Sequence, residues 1–420
     1  MGMTIIEKIL ARASGQAKVS PGDLAVVEVD SVLMLDTNFL AVQRREVLKL
    51  HDPDKIAVIY DHLVPPPDRA AADAHANGRE FVKKFGIKRF HDVGPDQGIS
   101  HVIAAENGYA LPSMVLVCSD SHTCAGGAFN CAARGIGFPD LMYVITTGKT
   151  WFQVGGTVRY DITGKLPHGV AAKDVFLHLA GTYGNHANQN VEIGGPGLAN
   201  LTINARRTLA AMGAELSADF ITFEHDAVLE DYLKGRAKQP FTPVAPDQDA
   251  VYVTRRTVDL SAMKPLVALP DSVISNSAPV GDVAGTAIHQ AFIGSCANGT
   301  LEDLEAAAAV VNGRKVAAGV RLLVTPGSQA IYRAALKAGY IEKLMDAGAV
   351  VTPATCGACF GGHMGVLGPN ETCITSSTRN FKGRMGDASA KIYMASSATV
   401  AASAIAGTIV HPGEFLGDAP

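Results

Sequence analysis

The sequence predicts an α/β protein that folds as three domains with mostly parallel sheets. Short apolar runs alternate with helical patterns along most of the 420 residues, which is typical of βαβ units. A chain of this length usually divides into more than one hydrophobic core. Hydrophobic residues make up 47% of the chain and charged residues 18%, so large interiors are available.

The first part of the chain contains an amphipathic helical pattern over residues 1–14, followed by three apolar runs. The runs DLAVVEVDSVLML, KIAVIYDHL and SMVLVCSDSH predict buried strands within 23–35, 55–63 and 113–122. Helices are expected at 75–86 and 127–137. The runs end in acidic residues and histidines, and open α/β sheets build their sites directly past such strand ends.

The second and third parts repeat the alternation of helices and strands. Gly, Pro and β-branched residues at 155–170 indicate entry into a second unit, which holds KDVFLHLAGTYG and a long helix pattern at 204–216. The polar stretch 236–275 is the best linker candidate, and a strand, a helix and a strand follow in HQAFIGSC, LEDLEAAAAVVNG and RLLVTPGS. The predicted domains are 1–157, 158–262 and 263–420.

The net charge and the apolar segments of the chain limit the partners and the cell compartment that we expect for it. The formal net charge is −4 and no long basic run is present, so nucleic acid is not expected as a partner. The first residues lack the apolar core of a signal peptide, and no apolar stretch reaches the ~20 residues that span a bilayer. We therefore expect a cytoplasmic protein without membrane contact. Seven cysteines, an odd number, do not favour a disulfide framework.

A Cys-x2-Cys pair in TPATCGACFGGHMG, Cys356 and Cys359, allows several kinds of chemistry. A redox pair, a structural zinc site, two buried thiols and an iron–sulfur cluster all use this spacing. Zinc would need Cys296 and a fourth ligand such as Cys373 or His363. Three cysteines alone would leave one iron of a cubane free to act as a Lewis acid.

Several stretches together carry a resemblance to a known family. They are EKILARASG, YDHLVPPPD, VCSDSHTCAGGAF, MGAELSAD, AFIGSCANGTLEDL, TPATCGACFGGHMG, TSSTRNFKGRMGDASAKIYMASSATVAASAIAG and IVHP. In this order they run along nearly the whole chain. The chain resembles the aconitase family, and CGACFGGHMG is similar to the isopropylmalate dehydratase branch of that family.

The resemblance implies a fold, a reaction and a partner. The expected fold has three α/β/α domains of aconitase type around a [4Fe–4S] cluster that has one iron without a cysteine ligand. The expected enzyme is a hydro-lyase that dehydrates and rehydrates a 2- or 3-hydroxy dicarboxylic acid such as 3-isopropylmalate. The family's mobile swivel domain is not expected after IVHP, so a separate small subunit should carry it, with the serine base and part of the substrate specificity.

The resemblance also implies the residues of the site. The cluster ligands would be Cys296, Cys356 and Cys359. The catalytic residues would be Asp61, His62, His101, Asp120, His122 and Glu192, with Glu192 as the carboxylate partner of His101. Ser121, Asn298, Arg379 and Arg384 would bind substrate. A carboxylate beside an imidazole favours the charged imidazolium, and a guanidinium binds a carboxylate through two parallel hydrogen bonds.

The chain departs from the family pattern near the site. Leu35 stands where the family usually has His, and Asn38 stands where Thr is common. These departures leave other substrates open: 2,3-dimethylmalate, methylmalate (citramalate) or the substrate of a homoaconitase. Two functions of other classes are a non-catalytic cluster protein that binds RNA and a zinc hydrolase that uses Asp120 and His122.

Overall fold

A computed structural model describes residues 2–43 and 45–416. The α-helices within these residues are α1 Ile5–Ser14, α2 Arg69–Phe85, α3 Ser100–Glu106, α4 Phe138–Thr147, α5 Ala172–Tyr183, α6 Ile203–Ala211, α7 Ala227–Leu233, α8 Ser295–Asn298, α9 Leu301–Val311, α10 Gln329–Lys337, α11 Tyr340–Ala347 and α12 Ser397–Ala406. None of the helices in these two segments combines the length and the apolar character needed to cross a membrane.

The strands in the same residues are β1 Leu24–Glu28, β2 Ser31–Leu35, β3 Ile56–Ile59, β4 Arg89–His91, β5 Val115–Cys118, β6 Ala132–Gly135, β7 Lys149–Gln153, β8 Gly156–Thr163, β9 Gln189–Gly194, β10 Ile221–Phe223, β11 Thr254–Asp259, β12 Leu266–Ala268, β13 Ser277–Pro279, β14 Gln290–Ile293, β15 Arg321–Val324, β16 Val350–Val351, β17 Thr372–Thr375 and β18 Lys391–Ala395.

Parallel pairing dominates the three larger sheets. The five-stranded sheet has the order β4-β3-β2-β5-β6 and the four-stranded sheet has the order β10-β9-β8-β11, and every pair in both is parallel. The seven-stranded sheet has the order β13-β12-β18-β17-β14-β15-β16, with only β12 and its neighbours antiparallel. Helices connect most of these strands, as parallel sheets require.

Two of these sheets contain a point where the strand order reverses. In the five-stranded sheet the reversal lies between β2 and β5, and in the seven-stranded sheet it lies between β14 and β17. The loops that leave the carboxyl ends of the strands on either side of such a point run in opposite directions and open a crevice. Of the predicted site residues, Asp120 follows β5, Cys296 follows β14 and Arg379 follows β17.

The sheets fall within the predicted domain ranges, apart from the first two residues of β8. The five-stranded sheet and the β1–β7 ribbon lie before residue 157, the four-stranded sheet spans 156–259, and the seven-stranded sheet spans 266–395. The division at 157 and 262 stays a prediction, and residues 417–420 lie outside the described part of the chain.

Two predicted elements are wrong. Residues 23–35 form two strands in different sheets, because the chain turns at Asp30, whose carboxylate accepts a hydrogen bond from the Val115 N–H. Residues 127–137 form no α-helix: a 3-10 helix ends at Phe129 and β6 follows. Asn130 has a φ of 56°, and a Cβ on Gly127 would lie 1.7 Å from the Ile221 carbonyl oxygen, so this segment is fixed by close backbone packing.

Candidate active site

The site lies where the carboxyl ends of two sheets face one another. Asp61 and His62 follow β3, Asp120 follows β5, Cys296 follows β14, and Arg379 follows β17. Hydrogen bonds join the two sides directly. The Asp61 carbonyl accepts the Cys356 N–H at 2.9 Å and the Thr355 hydroxyl at 2.8 Å. The His363 ring nitrogen Nε2 lies 2.8 Å from the His62 carbonyl oxygen.

Three histidines surround the carboxylate of Asp120, which we call the Asp120 centre. Its Oδ1 lies 2.7 Å from His101 Nε2 and 3.5 Å from His122 Nδ1, and its Oδ2 lies 3.8 Å from His62 Nε2. Burial alone would raise the pKa of Asp120, but hydrogen bonds from His101 and His122 hold that pKa well below its usual value. The structure therefore brings together the predicted residues His62, His101, Asp120 and His122 around one ionised carboxylate.

Asp61 and His62 form a close pair beside this centre. Asp61 is fully buried, and its Oδ1 lies 2.6 Å from His62 Nδ1 while its Oδ2 accepts the Ser100 N–H at 2.9 Å. Burial lowers the pKa of His62, but the Asp61 charge outweighs burial and raises that pKa to about 10. His62 is therefore an imidazolium at neutral pH and can donate a proton.

Asp36 fixes the backbone that carries His62. This fully buried carboxylate accepts the His62 N–H at 3.3 Å and the Leu63 N–H at 2.7 Å. Asn38, one of the departures from the family pattern, accepts the Leu35 N–H and donates to the Ser119 hydroxyl at 2.7 Å. Asn38 therefore holds the end of β5 just before Asp120.

Glu215 is a site residue to which the sequence analysis gave no role. It accepts a hydrogen bond from Arg379 Nε at 2.6 Å, and its Oε1 lies 3.4 Å from His122 Nε2. Burial raises the pKa of Glu215, but the His122 hydrogen bond and the Arg379 charge outweigh it and lower the pKa. The sequence contained a signal for Glu215. It lies in MGAELSAD, one of the stretches that carry the resemblance, and it is the only acidic residue of that stretch before Asp219.

The predicted pairing of Glu192 with His101 is wrong. The Glu192 carboxylate is fully buried and contacts Arg159 Nη1 at 2.8 Å, the Tyr252 hydroxyl at 2.5 Å and the Ile5 N–H at 2.8 Å. Glu192 lies on β9 directly opposite Arg159 on β8, in the four-stranded sheet. The carboxylate partner of His101 is Asp120.

The three predicted cluster cysteines converge on the same crevice. Cys296 lies in α8, and Cys356 and Cys359 lie on either side of Gly357 and Ala358. Burial, together with the charge of neighbouring thiols, raises the pKa of both Cys296 and Cys356. The ligand atoms of Asp61, His62 and Cys356 lie within 4.8 Å of one another. The Cys356 thiol therefore faces the Asp61–His62 pair.

Cys359 lies in a more positive environment than the other two cysteines. Its sulfur is 3.9 Å from Arg384 Nη2 and 3.7 Å from the Thr378 hydroxyl. Burial raises the pKa of Cys359, but the charges of Arg384 and His122 outweigh burial and lower it. Cys359 is thus the thiol most ready to be a thiolate, the form that binds metal.

The residues present fit an iron–sulfur cluster. Three thiols share the crevice, and buried polar atoms around them have no hydrogen-bond partner within the described residues: Asn298 Oδ1, Ser377 Oγ and Arg384 Nε. Buried polar groups are nearly always paired, so these atoms indicate room for a polar group. Burial raises the pKa of Cys373, the fourth ligand considered for zinc, and the charges that act on this thiol are those of Arg321 and Glu371, not those of the other thiols.

The predicted substrate-binding residues surround this crevice at different depths. Ser121 is exposed, Arg379 and Arg384 are partly buried, and Asn298 is buried and donates to Asp303 Oδ1 at 2.9 Å. Arg379 is oriented by Glu215 and Arg384 lies beside Cys359. Two guanidinium groups therefore border a site that also contains an imidazolium, which suits a substrate with two carboxylates.

Comparison with known proteins agrees with this geometry. The aconitase family (aconitate hydratase) matches residues 19–283 and 273–407. The chain belongs to the aconitase family, whose members are α/β hydro-lyases, and the predicted fold class and reaction class are confirmed. The family implies a [4Fe–4S] cluster.

The relatives cover nearly the whole chain. The 3-isopropylmalate dehydratase large subunit of Mycolicibacterium smegmatis is 53% identical over 97% of this chain and 96% of that protein. The 3-isopropylmalate dehydratase large subunit 1 of Methanopyrus kandleri is 44% identical over 99% of this chain and 100% of that protein. The large subunit from Aquifex aeolicus is 42% identical over 99% and 98%. The predicted resemblance is confirmed.

Proposed function

We propose that this chain is the large subunit of a two-subunit hydro-lyase that converts 3-isopropylmalate through its alkene acid. The observation that carries the proposal is the joint position of three thiols, the Asp120 centre and the Arg379–Glu215 pair in one crevice. Relatives that match nearly the full length are named for this activity, which supports the choice of substrate.

Cys296, Cys356 and Cys359 would hold the cluster. When bound, a [4Fe–4S] cluster with three cysteine ligands supplies a Lewis-acid iron that polarises the C–O bond of the hydroxyl group. An elimination at neutral pH also needs a proton for the departing oxygen and a base for the carbon-bound proton. The residues of this chain supply the first of these two groups.

His62 is the proton donor best placed by its surroundings. The Asp61 charge keeps it protonated, and its Nε2 faces Asp120 at 3.8 Å, on the side of the crevice where the histidines meet. Asp120 holds His101 at 2.7 Å and fixes the orientation of that ring. The imidazolium gives its proton to the departing hydroxyl oxygen, and Asp120 stabilises the charge on the neighbouring rings.

Arg379 and Arg384 bind the substrate carboxylates. The Nε of Arg379 is engaged by Glu215, which leaves the two terminal nitrogens of this guanidinium to face a ligand. Arg384 Nε is buried and has no hydrogen-bond partner in residues 2–43 and 45–416. A planar guanidinium can bind a carboxylate through two parallel hydrogen bonds, which a lysine cannot do.

A separate small subunit completes the enzyme. The relatives are named large subunits, and the sequence resemblance assigns the serine base to a swivel domain on another chain. The base for the carbon-bound proton and part of the pocket for the substrate's alkyl group would come from that partner.

The test is an anaerobic assay of the chain co-expressed with its small subunit. The absorbance of the conjugated alkene acid is followed with 2- and 3-isopropylmalate, 2,3-dimethylmalate, citramalate, homocitrate and citrate. Preference for the isopropylmalates supports the proposal. Preference for dimethylmalate, citramalate or homocitrate would replace the substrate and keep the reaction. Turnover without iron and sulfide in the protein would refute the cluster assignment.

A further inference from the structure

Lys173 carries a buried positive charge that the proposed chemistry does not use. Its side chain on α5 is fully buried, and its Nζ donates to the Ser377 carbonyl at 3.0 Å and lies 3.4 Å from Met212 Sδ. Among residues 2–43 and 45–416, no carboxylate oxygen lies within 4.0 Å of the Lys173 Nζ, the distance that defines an ion pair. Burying an ammonium without a counter-ion destabilises the folded chain, because the charge loses its hydration without a full replacement.

The carboxylate that acts most strongly on Lys173 already has other partners. Asp303 accepts hydrogen bonds from Asn298 at 2.9 Å and Ser397 at 2.8 Å through Oδ1, and from the Thr300 hydroxyl at 2.6 Å through Oδ2. These four bonds, with the Thr300 N–H as the fourth at 3.2 Å, occupy the lone pairs of the carboxylate. Asp303 therefore makes no direct ion pair with Lys173, and its charge acts on the ammonium only from a distance.

Asp174, the next residue, also interacts with Lys173, but its oxygens accept the Ala171 and Leu266 N–H groups and burial raises its pKa to about 7. The remaining acidic groups around Lys173 belong to the site. Burial lowers the pKa of Lys173 to about 8, and the groups that oppose this change are Asp303, Cys296, Cys359 and Glu215. Two of the four are proposed cluster ligands. The negative charge that would balance the ammonium therefore increases when the thiols become thiolates.

The hydrogen bond of Lys173 also reaches the cluster side of the crevice. Ser377 is the residue before Thr378, whose hydroxyl lies 3.7 Å from Cys359 Sγ. Arg379 follows and is held by Glu215. The Lys173 ammonium thus holds the loop after β17 at the Ser377 carbonyl, one residue before Thr378, which contacts Cys359.

We propose that Lys173 is a positioning residue whose fixed charge balances the cysteine thiolates when the cluster is bound and whose hydrogen bond to Ser377 holds Thr378 against Cys359. The inference rests on the proposed function, in which Cys296, Cys356 and Cys359 hold the cluster. Its consequence is that Lys173 destabilises the cluster-free chain and stabilises the cluster-bound chain.

The test is Lys173→Met in the full chain, which removes the charge and keeps the side-chain length. Without cluster, the thermal midpoint should rise by about 2–4 °C, because an uncompensated buried charge is gone. With the cluster reconstituted, loss of iron to a chelator should become about 10–100-fold faster, as for other residues that support metal ligands indirectly. The two effects have opposite signs, which a merely structural side chain would not produce.

Two further variants complete the test. Arg206→Met removes a fully buried cation that is already paired with Asp226 at 2.6 and 2.8 Å, and it should destabilise both forms without changing the rate of iron loss. Lys173→Gln keeps a donor for the Ser377 carbonyl but removes the charge, so iron loss should still accelerate.

The outcomes separate the inference from the proposed function. A cluster-free Lys173→Met chain that melts lower than wild type, or fails to fold, would overturn the inference. A Lys173→Gln chain with the wild-type rate of iron loss would also overturn it. A wild-type chain that takes up no iron and sulfide would instead refute the proposed function.

Discussion

The molecule contains two buried networks of charged side chains that differ in how completely their charges are paired. Around Arg159, the guanidinium meets Asp161 at 3.0 Å and Glu192 and Glu224 at 2.8 Å each. Around Asp120, two of the three histidines lie at 3.5 and 3.8 Å. Nearby buried atoms, Asn298 Oδ1 among them, lack a partner in the described residues.

The difference shows what each network does. The Arg159 network satisfies its own charges and ties the N-terminus of α1 to the four-stranded sheet through the Ile5 N–H. The Asp120 network leaves hydrogen-bonding capacity directed into a crevice, which is the arrangement expected of a site that completes its bonds with a ligand. Substitutions in these networks, in the neighbouring site and in a further buried ion pair test this distinction.

The largest effect is expected for Cys359→Ser. Turnover should fall to background and the iron content should fall with it, because a serine hydroxyl does not replace the thiolate as a ligand. Cys131→Ser is the matched control, since this buried thiol packs in the hydrophobic core, 3.1 Å from the Met114 carbonyl oxygen, and the variant should retain iron and turnover. Normal iron and full activity in Cys359→Ser would remove this residue from the ligand set.

The second prediction compares one carboxylate from each network. Asp120→Asn should lower kcat by about 10²–10⁴-fold, the usual contribution of acid–base groups, because the ring orientations and the charge that stabilises them are lost. Glu192→Gln should instead lower the free energy of unfolding by about 3–5 kcal/mol, because Arg159 loses part of its compensation in the interior.

Steady-state kinetics and denaturant unfolding of both variants check the contrast. The folded fraction of Glu192→Gln should keep a kcat near wild type. A large loss of kcat at unchanged stability in Glu192→Gln would break the comparison and restore the catalytic role first expected for this residue.

The third prediction concerns Arg379→Lys. The KM for a dicarboxylate should rise about tenfold or more, because lysine replaces a planar two-bond contact with a single point charge and also weakens the hold of Glu215. Arg321→Lys is the control, since Arg321 also binds a carboxylate, donating from its Nη2 to both oxygens of Glu371 at 2.8 Å on the half-exposed surface. Equal KM values for the two variants would argue against substrate binding by Arg379.

The smallest effect is expected from a paired carboxylate at acid pH. Burial raises the pKa of Asp226, but the Arg206 hydrogen bonds outweigh it, so the folded-state pKa lies below the unfolded value. The stabilisation is therefore present above the unfolded pKa of about 4 and is lost as pH falls through the folded pKa.

Asp226→Asn should accordingly flatten the dependence of the unfolding free energy on pH below about 4. Denaturant unfolding over a pH series measures this slope. Asp231→Asn, in an exposed pair with Lys234, should leave the slope unchanged. An unchanged slope in Asp226→Asn would show that the Arg206 pair contributes nothing to acid stability.

Local patterns in the sequence predicted much of the fold. Strands such as β3 and β5 are apolar on both faces, and the acidic and histidine residues that follow them could be located from the sequence alone. Prediction failed where long-range contacts override local preference. The segment 127–137 is helical by composition, but the 3-10 helix ends at Phe129, before Asn130, whose φ is positive, and residues 132–135 pair with β5 as β6.

The site shows the same limit. Asp61, His62 and Asp120 lie directly past strand ends, and the resemblance to the family implied these three residues and the three cysteines, so the sequence by itself pointed to them. Which carboxylate faces which histidine depends on how separate sheets pack. Glu192 and Glu215 lie 23 positions apart, yet only Glu215 reaches His122, while Glu192 pairs across its own sheet with Arg159. Only the tertiary structure decides this, because charge pairing requires atoms within a few ångströms of one another and sequence spacing does not fix distances between sheets.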